Sequence, residues 1–103
     1  MSIEEIPRLS TKEALILKLL IDEGREMYGL EMVERSNDNL KRSTVYVFLA
    51  RMEKKGYIKS KLDPGAASLN ASARGTSRRM YKIQKFGRRA YAALQAAEHQ
   101  FNK

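Results

Sequence analysis

The sequence of 103 residues contains no cysteine, no tryptophan and a single histidine. Without cysteine the chain has no disulfide framework, no thiol nucleophile and no thiolate zinc site. The histidine, His99, stands near the C-terminus, so the chain has no pair of histidines at metal-ligand spacing and no arrangement that indicates a catalytic triad. A glycine-rich phosphate loop after a strand is also missing. We therefore expect neither a cofactor nor an enzymatic activity.

Long apolar runs are absent as well, and none reaches the length of a membrane span. The N-terminal segment MSIEEIPRLS is acidic and lacks the basic region followed by an apolar run that is typical of a secretory signal. We expect a cytoplasmic protein of one domain, because 103 residues suffice for one modest core. Self-association would help such a small domain to bury apolar surface.

The formal charge of +8 is unevenly distributed. Residues 1–40 carry five basic and nine acidic side chains, whereas residues 41–103 carry fifteen basic and three acidic ones. A positive field of this kind attracts nucleic acid or an anionic membrane surface. We favour nucleic acid, because the basic segments lack the wide apolar face with bulky aromatic residues that an interfacial helix needs.

Hydrophobic periodicity predicts short helices in the first half of the chain. The first helix covers residues 11–22 behind a capping box formed by Ser10 and Glu13. Residues 25–27 are predicted to form a turn, and a second helix follows over residues 28–36. The first helix is apolar almost all round, which indicates that one of its sides meets a second subunit.

A third helix is predicted for residues 41–55. Val45, Leu49 and Met52 recur on its apolar face, whereas its opposite face is small and basic. Small and basic side chains allow close approach to a polyanion, and hydroxyl groups in a first turn can donate to phosphate. An ordinary solvated face is the alternative interpretation of such a helix.

Alternating patterns predict two β-strands, at residues 57–62 and 79–83. The segment between them, residues 63–77, is rich in small residues and predicts a long hairpin loop. Two strands directly after a helix-turn-helix unit predict a winged helix, so the expected fold is mainly α with a small β-hairpin. Basic residues in such a wing either contact phosphates and the minor groove or are ordinary surface charge. The candidates are Arg74, Arg78 and Arg79.

The final helix is predicted for residues 84–103. It carries a narrow stripe of mainly small apolar residues, which suits close packing against another subunit, while folding back on its own domain is the alternative. We therefore divide the chain into a winged-helix DNA-binding domain, residues 1–83, and a dimerisation helix, residues 84–103. The candidate interface residues are Leu15, Leu19, Ala90, Leu94, Ala97 and Phe101.

Four segments resemble, in order and at matching separations, the PadR family of small bacterial winged-helix regulators. These segments are LILKLL at residues 15–20, MYGLEMVE at residues 27–34, STVYVFLARMEKKGYI at residues 43–58 and RRMYKIQKFGRRAYAAL at residues 78–94. The resemblance covers about residues 13–95, which is nearly the whole chain. Val47 departs from the pattern, since the family commonly has proline at that position.

The resemblance implies a homodimeric repressor whose N-terminal and C-terminal helices form the interface and whose recognition helices and wings bind a pseudopalindromic operator in double-stranded DNA. Some members bind planar aromatic compounds between the subunits, often through tryptophan, which this chain lacks. A winged-helix module for protein interaction is the alternative function. By matching position, Ser43, Thr44 and Tyr46 are the recognition-helix residues expected to touch DNA, with Lys41, Arg42, Arg51 and Lys54 as the basic residues nearby.

Overall fold

The computed structural model describes residues 9–62 and 79–101, without the side chains of residues 99–101. Helices and short strands alternate in the order expected of a winged helix, which confirms the predicted fold class. The predicted wing loop, residues 63–77, lies outside the described residues. The elements are α1 (Thr11–Glu23), β1 (Met27–Tyr28), α2 (Gly29–Arg35), α3 (Val45–Lys54), β2 (Ile58–Leu62), β3 (Arg79–Ile83) and α4 (Lys85–Phe101).

The capping box predicted for α1 is present. The hydroxyl of Ser10 accepts from the backbone N–H of Glu13 at 3.2 Å, and the Glu13 carboxylate accepts from the N–H of Ser10 at 3.0 Å. The helix ends at Gly24, whose φ of 66° lies in the left-handed region and whose N–H donates to the carbonyl of Leu20. The buried Glu13 also receives the Nζ of Lys55 at 3.2 Å, which ties the start of α1 to the end of α3.

The strands form one antiparallel sheet in the order β1, β3, β2. The predicted hairpin of β2 and β3 is present and pairs Ile58 with Ile83. Met27 was predicted to lie in a turn, but it pairs with Tyr81 and belongs to the edge strand β1. The prediction was wrong because a strand of two residues is too short to show alternation, and its pairing depends on β3, far away in the sequence.

The core lies between the helices and one face of the sheet. The apolar face predicted for α3 is confirmed, since Val45, Leu49 and Met52 are fully buried. Burial of a large apolar side chain stabilises a fold by about 1.5–3 kcal/mol, so these residues hold α3 firmly on α1 and β2. The opposite face of α3 is thereby fixed towards the outside.

The start of α3 differs from the prediction. The helix begins at Val45 rather than at Lys41 or Arg42, because residues 42–44 form a turn in which the Lys41 carbonyl accepts from the N–H groups of Thr44 and Val45 at 3.1 and 2.8 Å. The φ of −122° at Thr44 is not helical. Periodicity could not separate turn from helix, since residues 41–44 contain no apolar side chain.

The last helix, α4, spans 17 residues, or about 25 Å. Its first part packs on α1, and Ala90 is buried in the core with 1% of its surface exposed. After Tyr91, the side chains up to residue 98 are exposed except that of Leu94, which is half-buried. The second half of α4 therefore extends beyond the core. Among residues 9–62 and 79–101, the helices lack the length and the apolar composition of a transmembrane segment.

Candidate nucleic-acid interface

One exposed surface contains the turn before α3 and the outer side of the helix. Residues 41–44 are all exposed, and Tyr46 and Val47 expose 48% and 51% of their surface. Ala50, Arg51 and Lys54 are exposed on the same side of α3, opposite the buried face. We call this surface the basic face; it consists of Lys41, Arg42, Ser43, Thr44, Tyr46, Val47, Ala50, Arg51 and Lys54.

The basic face begins with the side-chain hydroxyl groups of Ser43 and Thr44. The side chain of Thr44 makes no capping hydrogen bond to α3. Ser43 is exposed, and neither hydroxyl has a hydrogen-bond partner within the described part of the chain. Both groups can therefore donate to or accept from an external ligand without breaking a contact of the fold.

Four cations of the basic face are unneutralised. Within residues 9–62 and 79–101, no carboxylate forms an ion pair with any of them. Like charges concentrated on one face repel each other, and an external polyanion relieves that repulsion. These cations are Lys41, Arg42, Arg51 and Lys54.

Two arginines near α1 and α2 have carboxylate partners, in contrast to the cations of the basic face. Arg25 donates two hydrogen bonds to the Glu31 carboxylate, at 2.8 and 3.2 Å, and also reaches Glu23 at 3.4 Å. Arg35 lies 3.7 Å from the same Glu23. The hydrogen bond from Arg25 and that from the N–H of Tyr28 outweigh partial burial and hold the pKa of Glu31 below its usual value. These charges are used within the domain.

The acidic residue of α3, Glu53, is directed towards the sheet. Its carboxylate accepts hydrogen bonds from the N–H and the hydroxyl of Ser60, at 3.1 and 2.9 Å. Arg79, a predicted wing contact, is exposed at the start of β3 and donates to the Ser60 hydroxyl at 3.2 Å. Glu53 therefore holds α3 against the base of the wing. Arg74 and Arg78 lie outside the described residues.

Sequence analysis missed a contact at the edge of the basic face. The ring of Tyr46 lies on Gly29, the first residue of α2, so closely that a Cβ atom at position 29 would lie 2.8 Å from the ring atom Cε1. The two residues are far apart in the sequence, and neither periodicity nor charge connects them. The sequence predicts Gly29 only as part of the second helix, without a contact to the third.

The residues predicted for the dimer interface occupy two kinds of position. Leu15, Leu19 and Leu94 are half-buried and Ala97 is exposed, so all four keep apolar surface uncovered by their own chain. Ala90 is buried in the core of its own domain and has no surface left for a partner. The side chain of Phe101 lies outside the described residues.

No group of three or more potential metal ligands occurs among the residues searched, 9–62 and 79–101.

The chain is similar in sequence and in fold to known transcriptional regulators. The family model described as "Transcriptional regulator PadR-like family" matches residues 16–93. A PadR family transcription regulator from Clostridium difficile R20291 is similar in structure, with a TM-score of 0.66 and 27% identity over 89% of this chain and 90% of that chain. A transcriptional regulator from Clostridium thermocellum has a TM-score of 0.62 and 28% identity over 88% and 84% of the two chains. No curated protein matches the sequence.

The PcaV transcriptional regulator from Streptomyces coelicolor, whose structure contains its natural ligand, is similar with a TM-score of 0.70. The two sequences are 20% identical, so this likeness shows the fold alone. The match covers 91% of this chain, and this chain spans 58% of the length of PcaV. The family model, in contrast, covers most of this chain and includes α3, the sheet and the start of α4. The chain belongs to the PadR-like family of transcriptional regulators, and this membership implies that it binds DNA.

Proposed function

We propose that the protein is a homodimeric repressor that binds a pseudopalindromic operator with α3 of each subunit in the major groove. The observation that supports this proposal best is the group of unneutralised cations on the basic face. A winged-helix module for protein interaction has little use for four such cations around its recognition helix.

The four cations of the basic face predict that the affinity for DNA depends strongly on salt concentration. Each phosphate neutralised by a lysine or arginine releases counterions, so log K falls against log salt concentration with a slope of about −0.9 per contact. If the four cations of both subunits contact phosphates, the slope is about −7. Such contacts position the protein on the duplex but do not read its sequence.

Sequence is read by the residues between the cations. In helix-turn-helix proteins the N-terminal residues of the recognition helix contact base edges. In this chain those positions are Thr44, Tyr46 and Val47, which offer hydroxyl groups for hydrogen bonds and an apolar group for a thymine methyl. Arg79, which is exposed at the start of β3, contacts the DNA backbone beside the wing in this proposal.

Apolar surface that the chain itself leaves uncovered supports the proposal that a second subunit binds. Leu15 and Leu19 of α1, and Leu94 of α4, are only half-buried, and α4 extends beyond the core. A second subunit packed on these helices would cover this surface and place two recognition helices on successive turns of the same duplex face, about 34 Å apart. A dimer bound in this way excludes other proteins from its site, which is the simplest form of repression.

A planar aromatic effector is implied by the resemblance, and PcaV shows that this fold accommodates a small ligand. An open pocket lies between α1, β3 and α4, but it is lined mainly by Arg25, Glu26, Lys82 and Arg88. A charged lining of this kind does not suit a planar apolar compound. An aromatic effector therefore stays a prediction, and its site would lie between the two subunits.

The proposal is tested by selecting duplexes from a random-sequence pool with the purified protein, then titrating the most enriched duplex and a scrambled control at two salt concentrations. We expect an inverted repeat, two subunits per duplex and affinity that falls steeply as salt rises. Enrichment of a single half-site by a monomer would contradict the dimer. No binding to either duplex at low salt would favour the protein-interaction function.

A further inference from the structure

The hydroxyl end of Tyr46 occupies the space in which a side chain at position 29 would lie. A Cβ atom built on Gly29 would be 2.8 Å from Cε1, 3.0 Å from Cζ and 3.1 Å from the hydroxyl oxygen of Tyr46. Carbon atoms in folded proteins essentially never approach to less than 3.0 Å in this way. Glycine at position 29 is therefore a condition for the observed position of the tyrosine ring.

The backbone gives no other reason for glycine at position 29. Gly29 does not have a positive φ, in contrast to Gly24 with its φ of 66°. Glycine inside a helix is less favourable than alanine by about 1 kcal/mol, although the first helical position is more tolerant. Since neither conformation nor helix propensity favours glycine here, the contact with Tyr46 is what distinguishes it from alanine.

Tyr46 connects the scaffold with the basic face. The ring of Tyr46 lies against Gly29 of α2, and Tyr46 adds to the rise that burial causes in the pKa of the Tyr81 hydroxyl on β3. At the same time 48% of Tyr46 remains exposed. The residue is located in the first turn of α3, next to the hydroxyl groups of Ser43 and Thr44, so a displacement of its ring changes the surface that reads bases.

We propose that Gly29 is a positioning residue for DNA recognition, which lets the ring of Tyr46 lie against α2 and so sets how the first turn of α3 is presented. The inference rests on the proposed DNA-binding function. Gly29 is buried and acts through Tyr46 rather than by touching DNA. An alanine at position 29 pushes the half-exposed ring outwards into open space. The fold therefore survives the substitution, and the four cations of the basic face stay in place.

The DNA arm of the test compares Gly29→Ala with Gly24→Ala. The control strains the backbone at a positive φ but has nothing within 4 Å of the added Cβ, so it reports a loss of stability away from Tyr46. We measure affinity for the duplex most enriched by the wild-type protein and for its scrambled control. Gly29→Ala should lower the ratio of the two affinities about tenfold, the usual effect of one misplaced base contact. Its affinity for the scrambled duplex should be unchanged, and Gly24→Ala should keep the wild-type ratio.

The structural arm does not need DNA. Protein labelled with 3-fluorotyrosine gives a ¹⁹F resonance for Tyr46, which is assigned by its loss in Tyr46→Phe. Gly29→Ala should shift this resonance while the resonances of Tyr57 and Tyr91 stay in place, and Gly24→Ala should leave it unmoved. A Tyr46 resonance that does not move in Gly29→Ala overturns the inference. A wild-type protein that enriches no sequence counts against the proposed function, whereas enrichment with an unchanged ratio in Gly29→Ala counts against the inference alone.

Discussion

Arg25 and Arg35, near the ends of α1 and α2, lie at the surface like the four cations of the basic face, but their neighbours differ. Arg25 and Arg35 lie beside Glu23 and Glu31, so their charge is balanced within the domain. The cations of the basic face have no such partner among residues 9–62 and 79–101. A count of basic residues therefore says little about binding, whereas unbalanced charge on one face favours binding of an external polyanion.

The same difference occurs between two adjacent residues at the end of α3. Lys55 is paired with the buried Glu13 at 3.2 Å and links α3 to α1. Lys54 is exposed on the basic face without an ion pair to any described residue. The contacts thus give Lys55 a structural role and leave Lys54 available for the proposed DNA contact, a distinction that only the three-dimensional structure makes.

The largest effect should come from a substitution that converts the proposed dimer to a monomer, because a monomer presents only one basic face. Leu94→Glu introduces a charge into the expected dimer interface, so the protein should become monomeric by sedimentation and lose about 100-fold or more in operator affinity, because two linked half-sites are no longer bound together. Gln95→Glu adds the same charge at the exposed neighbouring position and should keep the dimer. A Leu94→Glu variant that stays dimeric would show that α4 does not form the interface.

The next largest effect should come from replacing an arginine, and it should depend on whether that arginine forms an ion pair within the domain. Arg42→Ala should weaken binding to all duplexes about equally and reduce the salt slope by about 0.9 for each phosphate that is no longer neutralised, hence by about two in a dimer. Arg35→Ala removes an exposed arginine that is paired with Glu23 and should leave the slope unchanged. Equal slopes for the two variants would abolish the distinction between balanced and unbalanced cations.

A smaller effect is expected at the adjacent lysines. Lys55→Ala leaves the buried Glu13 carboxylate without its cation and should lower the free energy of unfolding by about 1 kcal/mol, or the melting temperature by about 5 °C. Lys54→Ala should change stability by less than about 0.5 kcal/mol, as is usual for exposed positions. Urea titrations of both variants measure this. Identical stabilities would mean that Lys55 contributes nothing through Glu13.

The smallest effect concerns the pH dependence of stability. The pKa of Glu31 is below its usual value of 4.5 in the folded chain, mainly because Arg25 donates to its carboxylate. Its contribution is therefore present above about pH 4.5 and is lost as pH falls through the lowered folded pKa. Glu31→Gln should make the acid side of the stability profile shallower. Glu34→Gln, on the same helix, should keep the wild-type slope on the acid side. A wild-type stability profile for Glu31→Gln would show that the Arg25–Glu31 ion pair does not stabilise the fold.

Local signals in the sequence were enough for most of the architecture. The capping box at Ser10, the apolar face of α3 and the change from helical to alternating periodicity each involve residues close together in the chain, and each was predicted correctly. The start of α3 was misplaced, because the polar residues 41–44 carry no periodic signal. The strand β1 was missed, because it forms only by pairing with β3.

The order of elements, the separation of charge between the two parts of the chain and the outward side of α3 follow from the sequence, since periodicity, capping and charge are local properties. Only the folded structure shows which cations are balanced, that Ala90 is covered by its own domain and that Tyr46 lies on Gly29. These features depend on contacts between residues far apart in the chain, so they arise only when α1, α2 and the sheet pack around α3.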